Sequence, residues 1–74
     1  MMESQNLYTL NEAADQLAVS QDLVAKFINR GWIVPVKDGK GQKLTPYAFR
    51  RLNRIIDLYE RSYSLERIET LLNH

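Results

Sequence analysis

The sequence contains no cysteine, so it has neither a disulfide framework nor a thiolate metal site, and 74 residues must hold their fold by packing alone. The single histidine is the terminal His74, and with no thiol nothing assembles a nucleophile, a base and a third orienting group; an enzyme is not expected. Asp57 and Glu60 form an acidic pair at helical spacing, which beside Arg61 reads as a solvated edge rather than a catalytic dyad. The three glycines are scattered, and Gly39-Lys40-Gly41 has neither Walker spacing nor a strand-to-helix context, so no phosphate-binding loop is present. A domain this small also lacks room for a ligand-sized pocket, and no cofactor and no metal are expected. No apolar run is long enough to span a membrane, and Met1 to Leu10 holds Glu3 but no Lys or Arg, unlike a signal peptide. The expected setting is a reducing cytoplasm, away from membranes.

What the chain does have is a globular composition, 45% hydrophobic and 26% charged, enough for one domain over residues 1–74. The net charge of +1 conceals a strong segregation. Met1 to Ala25 carries Glu3, Glu12, Asp15 and Asp22 and no base. Lys26 to Arg54 carries Lys26, Arg30, Lys37, Lys40, Lys43, Arg50, Arg51 and Arg54 against Asp38 alone, and the remainder returns to a small negative balance. A basic segment of this kind is the footprint of a protein that meets a polyanion with one side, or else a solvated charged surface.

Thr9 with Glu12 three residues on forms a capping box, and Leu10, Ala13, Ala14 and Leu17 follow as a narrow apolar stripe. Ser20 caps a second helix whose stripe is Val24, Phe27 and Ile28, with Asp22 at the positive end of its dipole and Gly31 as its stop. Ala14, the small Ala18 and the branched Val24 fit a helix-turn-helix over about residues 9–31, in which small residues allow close crossing of helices; the spacing fits an ordinary helical hairpin equally.

Trp32 to Val36 is apolar and β-prone, but Pro35 confines any strand there to a short or edge position. Lys37-Asp38-Gly39-Lys40-Gly41 reads as a hairpin turn and Gln42-Lys43-Leu44 as the returning strand, so residues 32–44 form a wing or a lysine-rich surface loop. Lysines Lys37, Lys40 and Lys43 on such a tip suit phosphate contact rather than base reading. Thr45-Pro46 starts a third helix over about residues 46–61, with Ala48, Leu52, Ile55, Ile56 and Tyr59 buried, Phe49 at the edge, and Arg50, Arg51 and Arg54 to the side or outside. Ser64 caps a fourth helix over about residues 65–72 through Leu65, Ile68, Leu71 and Leu72. The fold class is mainly α: four short helices with a small two-stranded wing.

Four segments in this order resemble the DNA-binding domain of the MerR family: Tyr8-Thr9-Leu10-Asn11-Glu12-Ala13-Ala14, Val19-Ser20, Gly31-Trp32-Ile33-Val34-Pro35, and Ser64-Leu65-Glu66-Arg67-Ile68-Glu69-Thr70-Leu71-Leu72. The resemblance implies a winged helix-turn-helix whose second helix enters the major groove of double-stranded DNA. It places Ser20, Gln21, Ala25, Lys26, Asn29 and Arg30 toward DNA, and Tyr47 or Arg50 near the backbone. Helix geometry at about 100° per residue agrees in part, turning Asp22, Ala25, Lys26 and Asn29 away from Val24 and Phe27. Lys26 suits a phosphate or guanine, and Gln21 or Asn29 an adenine edge.

The chain departs from the family pattern in the second helix, where Ala25-Lys26-Phe27 replaces an Arg-aromatic-aromatic run. It departs again in the wing, where Lys40-Gly41-Gln42-Lys43-Leu44 replaces Gly-Tyr-Arg-x-Tyr. The family's long dimerisation helix is not seen after the fourth helix, so a monomer or a weak, cooperative oligomer is expected. Sequence-specific DNA binding in transcription regulation is the leading expectation. An excisionase-type factor that bends DNA, and a protein-binding chaperone modulator of the CbpM type, also resemble the pattern. Trp32, Tyr47 and Tyr63 are the aromatics that would serve a protein partner, with Trp32 more at home in the core.

Overall fold

The computed structural model describes residues 7–39 and 41–73; Lys40, expected at the wing tip, and His74 lie outside them. The elements follow as β1 (Tyr8–Thr9), α1 (Leu10–Leu17), α2 (Gln21–Asn29), β2 (Val36–Asp38), β3 (Gly41–Leu44), α3 (Pro46–Glu60) and α4 (Leu65–Leu72). The four expected helices and the antiparallel wing are all present, but the first wing strand is Val36–Asp38, so Lys37 and Asp38, expected in the turn, are paired with β3, and the β-prone stretch from Trp32 to Pro35 forms no strand. A third strand extends the wing: β1 pairs with β3 on the side away from β2, with Tyr8 opposite Leu44 and Thr9 opposite Lys43. Thr9 is therefore both the end of a strand and the cap of a helix.

Side-chain caps set all four helix starts. Thr9 Oγ1 accepts from the Glu12 amide while the Glu12 carboxylate accepts from the Thr9 amide, each at 2.9 Å. Ser20, Thr45 and Ser64 each accept from the backbone amide three residues on, and Pro46 opens α3 where a missing N–H is harmless.

Three helix ends share one device. At the end of α2, Gly31 donates to the Ile28 carbonyl and Trp32 to the Phe27 carbonyl, the paired bonds of a Schellman turn, with Gly31 at φ +78°. The same pattern closes α1 through Ala18 and Val19, and α3 through Ser62 and Tyr63. There the left-handed residues are not glycine: Ala18 has φ 59° and Ser62 φ 67°. Ala18 is also exposed, which corrects the reason for its small size. It turns the chain rather than admitting a neighbouring helix, and Ala13 and Ala14 are the buried alanines of α1.

The core draws on every helix: Ala13, Ala14, Val24, Phe27, Trp32, Ile33, Leu44, Ala48, Leu52, Ile55, Ile56, Leu58 and Ile68, with no polar or charged residue buried among the described ones. Trp32 belongs to it, lying under Phe27 with ring centroids 5.6 Å apart. Tyr59 does not: it is 37% exposed and meets Phe27 only by its edge, and Leu58 takes the buried place expected of it. Tyr8 stacks on Phe49 at 4.3 Å and closes β1 over the start of α3.

The three turns yield a stability prediction. A left-handed conformation costs a non-glycine residue about 1–2 kcal/mol, offset in part by the extra freedom glycine has when unfolded. Ala18→Gly and Ser62→Gly should each raise stability by about 0.5–1 kcal/mol. Gly31→Ala should lower it by about 1 kcal/mol from the backbone alone, because an added Cβ there meets nothing within 4 Å. Thermal melting of the three variants checks this, and a Gly31→Ala protein that melts with the parent would refute the assignment of strain to these turns.

Candidate nucleic-acid interface

The apolar stripe of α2 decides which of its residues face outward. Val24 and Phe27 are fully buried, Leu23 and Ile28 half-buried, and the opposite side leaves Gln21, Asp22, Ala25, Lys26 and Asn29 exposed on one continuous face. The expected residues are thus brought together. Their surroundings differ in ways that the sequence did not disclose. Ser20 is committed to the cap, where Oγ accepts from Leu23 N–H at 3.1 Å. Arg30, at the end of α2, places its guanidinium 5.4 Å from the centre of the Trp32 ring, which holds its long side chain against the turn. Gln21 donates from Nε2 to Asn11 Oδ1 across the two helix starts at 3.0 Å. Asn11 lies within the first of the four family-like segments, but nothing in the sequence pairs it with Gln21 ten positions on.

On the wing, Lys37 lies opposite Gln42 and is exposed. Lys43 lies opposite Val36, and its Nζ reaches the Asp38 carboxylate at 3.2 Å as a diagonal cross-strand pair. One expected cation therefore already has a counter-charge inside the hairpin. Both partners are partly solvated, so the attraction is modest and screened by salt.

The arginines of α3 divide by position. Arg50 and Arg54 are exposed, as is Tyr47 at 65%. Arg51 is half-buried and its Nε–H donates to the Trp32 carbonyl, tying α3 to the chain leaving α2. Arg51 thus lies to the side of the helix in a structural role, while Arg50 and Arg54 lie outside. Gly31, Trp32, Val34, Tyr47, Ala48 and Arg51 line a groove of about 330 Å³ between the end of α2 and the start of α3, with Val34 75% exposed at its rim. Among the described residues no His, Cys, Asp or Glu group is placed to hold a metal, and no helix is long and apolar enough to cross a membrane.

The family model for MerR HTH family regulatory proteins matches residues 8–74. No curated protein matches the chain. Among solved structures the chain is similar to HiNmlR, described as a MerR family regulator lacking the sensor domain, bound to promoter DNA. The TM-score is 0.81 at 20% identity, over 92% of this chain and 53% of that one. The likeness to HiNmlR is one of fold, and the chain spans about half its length.

The division between Arg50 and Arg51 is testable without any ligand. Removing the donor to a part-buried carbonyl leaves it unsatisfied, at about 1–3 kcal/mol, so Arg51→Ala should melt several degrees below the parent while Arg50→Ala stays within about 0.5 kcal/mol of it. Equal melting of the two variants would remove Arg51 from its structural role.

Proposed function

Since the chain belongs to the MerR family of helix-turn-helix regulatory proteins, we propose that it binds double-stranded DNA sequence-specifically and acts in transcription regulation. The observation that carries this reading is the continuous exposed face of α2, on which Gln21, Asp22, Lys26 and Asn29 surround the small Ala25, while the opposite side packs Val24 and Phe27 into the core. A helix of that form fits the major groove, where base edges present a unique pattern of donors and acceptors. Lys26 and Asn29 supply groove contacts, with Gln21 at the start of the helix and Ala25 small enough to let the backbone approach. Lys37 and Lys43 on the wing and Lys40, which lies between them in the sequence, with Tyr47 and Arg50 at the start of α3, supply the sugar-phosphate contacts that set register without reading sequence. Ser20 and Arg30 act at the two ends of α2, fixing its entry and exit. One such helix reads few base pairs, so specificity requires a second copy or tandem sites, as in a regulator dimer or an excisionase-type array.

A second reading, a protein partner in place of DNA, is favoured by the exposed Val34 and Tyr47 at the groove beside α3. The two readings differ in salt dependence. Fluorescence anisotropy of a labelled random duplex, titrated across a salt series, should show affinity falling steeply as salt rises, because each neutralised phosphate releases counterions. An absence of binding at low salt would overturn the DNA reading and leave the protein partner.

Lys26→Ala should cost about 1–3 kcal/mol of specific binding if the lysine reads a base, or reduce the salt slope by about one if it holds a phosphate. Asp38→Ala releases Lys43 from its counter-charge and should strengthen binding to the random duplex while steepening the slope by about one. Unchanged affinity and slope in Asp38→Ala would take Lys43 out of the phosphate contacts.

A further inference from the structure

We infer that Asn11 is a positioning residue for base recognition, one that orients the Gln21 carboxamide toward a single base pair; this deepens the DNA-binding reading and rests on it. The two residues open α1 and α2: Asn11 is the second residue of the first helix and Gln21 the first of the second. Gln21 Nε2 donates to Asn11 Oδ1 at 3.0 Å, and both side chains are exposed. The backbones beneath them are held by caps, through the Thr9 and Glu12 box on one side and Ser20 on the other.

An exposed amide pair contributes little to folding, because water offers the same bonds. Its effect lies in order. Glutamine is among the side chains with the most rotamer freedom to lose, and a side chain already held in place loses less when it meets DNA. The donor inventory supports the same conclusion. One Nε2 hydrogen is used on Asn11, leaving the second hydrogen and Oε1 of Gln21 as the donor-acceptor fork that matches N7 and the N6 amino group of adenine. The Nδ2 group of Asn11 keeps its own donors for a neighbouring phosphate oxygen.

The test is selection of bound duplexes from a random pool with the whole chain, sequencing the product for the parent, Asn11→Ala, Gln21→Ala, the double variant and Asn11→Asp. The parent should select adenine at one position. Gln21→Ala should lower discrimination there about fivefold or more. Asn11→Ala should lower it at the same position by about threefold or more, with the salt slope unchanged since no charge is removed. The double variant should be no worse than Gln21→Ala, because the two residues act as a unit. Asn11→Asp keeps the acceptor for Gln21, so the base preference should return while overall affinity falls from the added negative charge. Full discrimination in Asn11→Ala, or independent losses that multiply in the double variant, would overturn the role of Asn11 while leaving DNA binding intact. A parent that shows no salt-dependent affinity for the pool would instead overturn the reading beneath it.

Discussion

The reversal at Gly31 carries the chain from the end of α2 back beneath Phe27, and the other elements take their positions from it. Two backbone bonds close the turn, and they deliver Trp32 to a parallel stack on Phe27. The Trp32 carbonyl then accepts from Arg51, which fixes α3 against the segment leading into β2. Arg30 covers the same indole ring at the surface. One turn thus sets the tilt of α2, the origin of the wing and the seat of the longest helix. A domain of this size has no second core to correct an error there.

That economy also determines the surface. Core positions are taken by apolar side chains from all four helices, and no charged residue is buried among the described ones, so the charged side chains are left at or near the surface. The acidic residues Glu12 and Asp15 lie on α1, while Lys26 shares the exposed face of α2 with Asp22 and Lys43 shares the hairpin with Asp38. Within the basic set the side chains are not equivalent. Lys37, Arg50 and Arg54 are exposed, Lys43 is drawn to Asp38, Arg30 rests on an aromatic face, and Arg51 is spent on a carbonyl. A count of bases therefore overstates the charge that a polyanion would meet.

The four helices were legible in the sequence because each begins with a hydroxyl cap and carries its own apolar repeat, both local properties of a few adjacent residues. The stop at Gly31 was legible for the same reason, since glycine is the residue that enters the left-handed region without strain. So was the outward face of α2, once Val24 and Phe27 were assigned to the core. Helix-turn-helix and helical hairpin were not separable by spacing, because both place two apolar stripes against one another.

Tertiary structure decided what depends on residues far apart in the chain. Ala18 and Ser62 occupy left-handed turns that their own preferences oppose, held there by the packing of the helices on either side. Strand β1 exists only because β3 lies beside it, and two residues have no strand signal of their own. The exchange of Tyr59 for Leu58 follows from where Phe27 meets α3. Arg51 with Trp32, Lys43 with Asp38 and Gln21 with Asn11 are pairings across elements. A sequence specifies its helices through neighbours at three and four residues. Which polar side chains remain free to act is settled only when the helices pack, because only then does each donor find, or fail to find, a partner.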